Sequence, residues 1–454
     1  MEHMKTEDHA IIEERKSFIL FKKQEGCTGD GKGIECDSNS ISGAVSQRAC
    51  VYCGARVVLN PITDAYHIVH GPIGCASYTW DIRGSLSSGE EIFRNSFSTD
   101  LREKDVIFGG EERLKKAIDE ISQEYSPKVI FVYATCIVGV IGDDIDAICK
   151  QMSNTYHIPV IPVKSAGFSG NKSTGYKMAC NAILELLLPH KSEKKVPGIN
   201  ILGDFNLAGE MWIIQSYLDK MGIPVVSRFT GDANYENMIL APSASLNIVQ
   251  CAGSSTYLAT RMEEEFDIPF IKVSFFGVED TSDSLVRIAK ALGNIEAEAI
   301  ARSFCEEEAA KVEAFIEPYR TVLKGKKAAI YVGGGFKAIS LMRQFEFLGM
   351  ETVVVGTQTG KKDDYEVIAS LAKEDTVILD DANPAELERF MKEKGADLLV
   401  AGVKERPLAY KLGIAFCDRN HERKHPLAGF EGVYNFVREI HQSISSPVFN
   451  YIRE

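Results

Sequence analysis

Three cysteines stand in glycine-rich turns, and thiolates held in tight turns are the donor set of soft metal ions and iron–sulfur clusters. Cys50 lies in Gln47-Arg-Ala-Cys-Val-Tyr-Cys-Gly-Ala-Arg56, Cys75 ends His70-Gly-Pro-Ile-Gly-Cys75, and Cys136 lies in Ala134-Thr-Cys-Ile-Val-Gly139. A fourth, Cys251, sits in Gln250-Cys-Ala-Gly-Ser-Ser-Thr256, just ahead of a helix expected from about Ser254. Helix N-termini stabilise negative charge, which suits a thiolate there. Taken alone, Cys251 reads as buried filler rather than as a ligand.

The chain has 11 cysteines, an odd number. Met1–Gln24 is charged throughout and shows no signal-peptide pattern, and no apolar run is long enough to span a bilayer, so a cytoplasmic protein is expected. Disulfides are disfavoured there, so each cysteine is either filler or ligand. Cys27 and Cys36 are separated by eight residues, which is not a standard ligand spacing, and packing or exposure is expected for both. Cys53 is expected to pack near Cys50. The net charge of −13, with no cluster of Lys and Arg, argues against a nucleic-acid surface.

Alternating strand and helix patterns must position these turns. Lys128–Tyr133 is a continuous apolar run of the kind buried parallel strands show, followed by a helix near Asp143–Met152 and a strand over His157–Val163. Gly198–Gly203, a helix near Gly209–Lys220 and Gly222–Val226 repeat the unit. Lys327–Val332, a helix near Phe336–Phe347 and Glu351–Val355 repeat it again. With 454 residues and 45% apolar content, this predicts an α/β chain of three Rossmann-like, doubly wound parallel-sheet domains. The boundaries fall at 1–195, 196–325 and 326–454, with charged helical linkage over Glu296–Glu313 and Glu317–Lys326.

Ligands of such sheets sit beyond the carboxyl ends of the strands. Cys136, Cys251, Gly333-Gly-Gly335 and Lys404 all follow expected strands, and a central cofactor cleft between the domains would collect several of them. Gly333, Gly334 and Gly335 lack the spacing of a nucleotide fingerprint. They read as a tight turn, or as backbone left open to a bulky anion. Gly170-Asn-Lys-Ser173 has no glycine five residues earlier, so it is not a phosphate-binding loop. His421 and His425 lie in a charged loop and read by default as solvated surface.

Together these residues resemble the nitrogenase component-1 superfamily, and most closely its cofactor-assembly scaffolds. The matching stretches are Gln47–Trp80, Arg83–Gly89, Ser98–Leu101, Asp105–Gly110, Ala134–Asp144, Gly203–Glu210 and Lys404–Gly432. The resemblance implies that Cys50, Cys75 and Cys136 hold a [4Fe-4S] cluster at an interface with a homologous subunit. It matches Cys251 to the cysteine that anchors the iron–molybdenum cofactor in the catalytic subunit. The histidine that is the cofactor's other anchor falls on or beside Asn420, with His421 and His425 nearby. A neutral amide is a poor ligand for a soft metal, so one thiolate would remain, which suits release. The catalytic subunit's Gln and His in the loop matching Gly167–Lys177 are replaced by Ser173 and by Tyr176 or Lys177. Arg83 and Lys404 match pocket cations, Lys404 at the lysine that meets homocitrate. Gly333, Gly334 and Gly335 would be close-approach backbone.

The resemblance therefore implies a nitrogen-fixation scaffold subunit that pairs with a NifN-like partner as an α2β2 heterotetramer. It would take an iron–sulfur precursor from a donor protein, hold it transiently while molybdenum and homocitrate are inserted with the reductase Fe protein, and pass the mature iron–molybdenum cofactor to apo-nitrogenase. No nucleic acid or membrane partner is implied. The alternatives are a catalytic alpha-type subunit of a nitrogenase-like reductase and a cluster-free structural paralogue.

Overall fold

Strand-forming runs and amphipathic segments alternate along the chain, and they assemble three sheets whose main strands are all parallel. The computed structural model describes residues 15–23, 26–28, 34–36, 50–80, 95–419 and 424–448. Near the N-terminus lie β1 (Ile19–Lys23) and β2 (Gly26–Thr28). The first sheet comprises β3 (Ala65–His70), β4 (Ser96–Ser98), β5 (Val129–Ala134) and β6 (Val160–Val163), in the order β4-β3-β5-β6. The second comprises β7 (Val196–Asp204), β8 (Val225–Thr230), β9 (Ala244–Val249) and β10 (Phe270–Lys272), in the order β10-β9-β7-β8. Both sheets thus run second, first, third, fourth in chain order.

The third sheet contains β11 (Lys327–Val332), β12 (Glu351–Thr357), β13 (Val377–Asp380), β14 (Leu398–Ala401) and β15 (Ala415–Asp418), in the order β15-β14-β11-β12-β13. That is the third-second-first-fourth-fifth order of a dinucleotide-fold half extended on both sides. Strand β1 adds antiparallel to β13, pairing Ile19 with Leu379, and β2 adds antiparallel to β1.

The strands are continuous apolar runs because helices cover both faces. All six residues of β5 are buried, as are all four of β13, β14 and β15. Three Ile-Pro segments start their strands later than their apolar runs do. The strands begin at Val160, Val225 and Phe270, each directly after a proline. Proline has no N–H for the ladder, but its carbonyl still accepts: Ile130, Ile199 and Asn247 donate to Pro159, Pro224 and Pro269 at 2.9 Å.

The helices that matter for the site are α1 (Val51–Leu59), α2 (Ile73–Trp80), α3 (Cys136–Ile141), α4 (Lys172–Leu187) and α5 (Ala252–Phe266). The charged stretches around Glu296–Lys326 form one helix, Ile295–Leu323, which continues through Pro318. Among the described residues no helix is long and apolar enough to cross a membrane.

One compact unit, within Ala49–Phe275 and Ser282–Phe304, holds the first two sheets. They share one core, in which Tyr52, Phe131 and Tyr133 pack with Leu202, Phe229, Leu258 and Met262. The other unit, within Met1–Arg48, Phe276–Thr281 and Cys305–Glu454, holds the third sheet, with Tyr331, Leu379, Phe390 and Leu399 in its core.

Strand order reverses between β3 and β5, between β7 and β9, and between β11 and β14. At such a reversal the connections leave in opposite directions and open a crevice beyond the strand ends. Cys75 and Cys136 follow β3 and β5, Cys251 follows β9, and Gly333–Gly335 and Lys404 follow β11 and β14. Every candidate on a described strand exit therefore sits at a reversal point.

Candidate functional site

Cys50 caps the N-terminus of α1 in extended backbone and is half-buried. Its position is set by the crossing of α1 over α4. A Cβ on Gly54 would lie 2.2 Å from the Lys172 carbonyl oxygen, and one on Gly175 would lie 2.1 Å from the Val51 carbonyl oxygen. Both helices need glycine at the crossing because backbone meets backbone there.

Cys75 lies in the first turn of α2, and Cys136 opens α3. Thr135 ties their turns together, since its N–H and hydroxyl both donate to the His70 carbonyl, at 3.2 and 3.0 Å. The His70 ring is fixed in turn by Thr99 Oγ1 at 3.0 Å and by Asp143 at 3.1 Å. Burial lowers the pKa of His70, while the hydrogen bond and charge of Asp143 oppose that shift.

The three thiols converge. Burial pushes the Cys75 thiol up, the charges of Cys136 and Cys50 push it further, and a hydrogen bond with Thr135 opposes them. Gly167 lies over the other two: its N–H donates to Cys136 Sγ at 3.2 Å, and a Cβ there would come within 3.0 Å of that sulfur and 3.3 Å of Cys50 Cβ. Cys136 is exposed, and exposed apolar side chains stand close in sequence to Cys75, Cys136 and Gly167: Ile73 at 58%, Val140 at 73% and Phe168 at 66%.

Among the described residues no three His, Cys, Asp or Glu side chains are close enough to share one metal ion. The trio therefore does not fit a single ion. It fits a polynuclear centre, in which each thiolate binds a different iron and the ligands stand further apart.

Cys251 is placed differently. It caps the N-terminus of α5, is half-buried, and makes no capping hydrogen bond through its side chain. Gly203, near the end of β7, presses against it with φ +85°, and a Cβ there would meet the Cys251 backbone N at 2.8 Å. Only glycine satisfies both demands. Of the residues in the neighbouring loop and helix, half-buried Tyr176 interacts electrostatically with Cys251, whereas Lys177 is exposed.

In the other unit, no atom of the described residues beyond the chain neighbours lies within 4 Å of a Cβ added to Gly333 or Gly334. Gly335 is required by the protein itself, since a Cβ there would lie 2.4 Å from the Asp364 side chain. Lys404 is exposed in the turn Val403–Glu405, and His425 is exposed ahead of the helix Gly429–Ile444. Arg83, Asn420 and His421 lie outside the described residues.

The remaining described cysteines separate from the candidates by burial. Cys53, Cys149, Cys180, Cys305 and Cys417 are buried, and burial pushes the Cys149 and Cys180 thiols to about 12, so they stay protonated. Cys36 is half-buried, and the Cys27 side chain lies outside the described set. Sequence reasoning did not single out Gly167. Its proximity to the thiols depends on a contact across 31 residues of chain.

Residues 50–445 match the family described as nitrogenase component 1 type oxidoreductase. A relative from Clostridium pasteurianum, named nitrogenase iron-molybdenum cofactor biosynthesis protein NifE, is 66% identical over 97% of each chain. The protein of the same name from Methanosarcina barkeri is 52% identical, over 98% of this chain and 97% of its own. Among solved structures, nitrogenase Cp1 at pH 6.5 superposes with a TM-score of 0.87 at 29% identity, covering 96% of each chain. The reversal-point cysteines and these full-length likenesses agree, and the chain belongs to the nitrogenase component 1 family.

Proposed function

We propose that this chain is a scaffold subunit for maturation of the nitrogenase iron–molybdenum cofactor. The observation that carries the reading is the pair of unlike cysteine sites in one compact unit. Three thiols converge at the β3/β5 reversal, and a single thiol stands at the β7/β9 reversal. The full-length likeness to proteins named for cofactor biosynthesis supports it.

In this reading Cys50, Cys75 and Cys136 hold a resident [4Fe-4S] cluster, which supplies one-electron redox chemistry when bound. The trio is one thiolate short of four, and the exposed apolar side chains close to it in sequence suit a NifN-like homologous subunit that provides the rest, in an α2β2 heterotetramer. Thr135 and Gly167 hold the thiols in place. Cys251 anchors the iron–sulfur precursor, which is cargo, while molybdenum and homocitrate are added with the Fe protein. A single thiolate leaves one bond to exchange at transfer from the donor protein and one at transfer to apo-nitrogenase. The roles of Gly333, Gly334, Gly335, Lys404 and His425 toward that cargo, and of Arg83, Asn420 and His421, rest on the family resemblance.

The structural likeness to nitrogenase Cp1 favours a second reading, a catalytic alpha-type subunit. Two variants and one assay separate the readings. In anaerobically purified complex, Cys251→Ala should lose the cargo and keep the interface cluster, and Cys75→Ala should do the reverse. Loss of the same spectroscopic signal in both would sink the two-site assignment. Reduction of acetylene or dinitrogen at nitrogenase-like rates with the Fe protein would favour the catalytic reading.

A further inference from the structure

Arg56 is a charged side chain in the interior of the unit that holds the first two sheets, and it is only 3% exposed. It lies four residues after Tyr52 on α1, so the two share one face of that helix. The guanidinium stands 5.3 Å from the centre of the Tyr133 ring, hydrogen-bonds to the Tyr133 phenol, and donates to Ser96 Oγ. Its Nε and Nη1 have no hydrogen-bond partner, and it forms no ion pair among the described residues. Arginine can only donate, so the Tyr133 oxygen accepts from Arg56 and its O–H donates to His67 Nδ1 at 2.9 Å. Burial and the Arg56 charge hold the buried His67 ring well below its ordinary pKa, while burial holds the Tyr133 phenol above its own against that charge. Both neighbours are therefore neutral, and the positive charge of Arg56 is left uncompensated in the core.

We propose that Arg56 is the counter-charge of the interface cluster, a fixed buried cation that favours the cluster's reduced, more negative state. The proposal rests on the reading that Cys50, Cys75 and Cys136 hold that cluster. Arg56 is six residues, about 9 Å of helix, from Cys50 at the cap of α1. Its contact Tyr133 is three residues, about 10 Å of extended chain, ahead of Cys136. Tyr52 interacts electrostatically with Arg56 and with Cys75. Its hydroxyl lies 2.6 Å from Thr79 Oγ1, which donates to the Cys75 carbonyl at 3.3 Å.

The cost of burying an unpaired cation is offset where an anion lies within reach of its field. A [4Fe-4S] core held by thiolates is anionic, and the electron it accepts from an external one-electron donor adds a negative charge. Net charge and burial are among the factors that set the potential of such a cluster. Across about 10 Å, at an effective dielectric constant of about 20, one unit charge shifts a one-electron equilibrium about tenfold. Arginine suits the task because it keeps its proton, so its field does not vary with pH. It also has no lone pair that would compete with the thiolates for iron.

The test uses the complete complex with its partner subunit, purified anaerobically and titrated with dithionite in the presence of redox mediators. The reduced interface cluster is followed by its electron paramagnetic resonance signal. Arg56→Gln and Arg56→Met should lower the ratio of reduced to oxidised cluster about tenfold at a given potential, a fall of about 59 mV in midpoint for one electron. Arg56→Lys keeps the charge, and Tyr133→Phe removes a hydrogen-bond partner but no charge, so both should stay close to the unmodified midpoint. An unmodified midpoint in Arg56→Gln and Arg56→Met would overturn the proposal. So would an equal fall in Tyr133→Phe, which would make hydrogen bonding the cause. If Arg56→Gln and Arg56→Met fail to hold the cluster, its retention in Arg56→Lys supports the counter-charge, and its loss there too makes the role structural and overturns the proposal. If Cys75→Ala keeps the interface cluster, the underlying reading falls.

Discussion

The Gly167 N–H donates to Cys136 Sγ at 3.2 Å, and the same glycine leaves no room for a methyl group against that sulfur. The residue therefore acts twice on one sulfur, as a hydrogen-bond donor and as a wall that keeps it in place. Its φ lies outside the left-handed region, so alanine is allowed by the backbone and the conflict is confined to the Cys136 and Cys50 side chains.

Gly167→Ala should accordingly leave the fold intact and reduce occupancy of the interface cluster. The expected result is an unchanged circular dichroism spectrum, with lower iron content and a weaker interface-cluster signal in anaerobically purified complex. Full cluster occupancy would show that Cys136 can shift without cost.

Substitution at the helix crossing should have the opposite character. In Gly175→Ala the new Cβ meets the Val51 carbonyl and the backbone of Gly54 and Ala55, none of which can rotate away. Overpacking of this kind costs about 1–3 kcal/mol. In a unit of this size that lowers Tm by several degrees, at about 2–4 °C per kcal/mol, and scanning calorimetry of the variant would measure it.

The glycine triplet after β11 offers an internal control. Gly335→Ala drives the new methyl into Asp364, whose carboxylate accepts from the Lys361 N–H at 3.0 Å and caps the helix Lys362–Leu371. That should cost about 1 kcal/mol, the usual value of a lost cap. Gly333→Ala enters open space and should leave Tm unchanged.

Glu405 should make stability depend on pH. Burial pushes its carboxyl up to about 7, the charge of Asp418 adds to that, and hydrogen bonding from the Gly402 N–H and the charge of Lys404 oppose it. In the unfolded chain the group titrates near 4.3. Between those values the folded protein binds the extra proton, so stability falls as pH rises and levels off above about 7. Glu405→Gln, which stays neutral, should raise Tm more at pH 8 than at pH 5. Equal shifts at both pH values would show that folding does not raise the Glu405 carboxyl above its ordinary range.

Much of the fold was legible in the chain because burial on both faces writes a parallel strand as a continuous apolar run. Lys327–Val332 has the expected limits, and Val129–Ala134 and Glu351–Thr357 differ from expectation by one or two residues. The Ile-Pro strands start late for a reason that is also in the sequence, the missing N–H of proline. The joining of β1 to β13 is different, because Ile19–Lys23 is a short strand whose partner lies more than 350 residues away, and no local pattern encodes such a pairing.

The site divides in the same way. Residue type and spacing by themselves determined which cysteines stand in turns suited to thiolate chemistry, and the family likeness followed from them. Only the tertiary structure decided that Cys50, Cys75 and Cys136 converge, with Gly167 over Cys50 and Cys136, while Cys251 stands apart at the cap of another helix. The turns themselves are set by glycine and by strand ends a few residues away. Their meeting depends on which strands lie side by side at β3/β5 and β7/β9, and on a helix crossing that two glycines far apart in sequence allow only together.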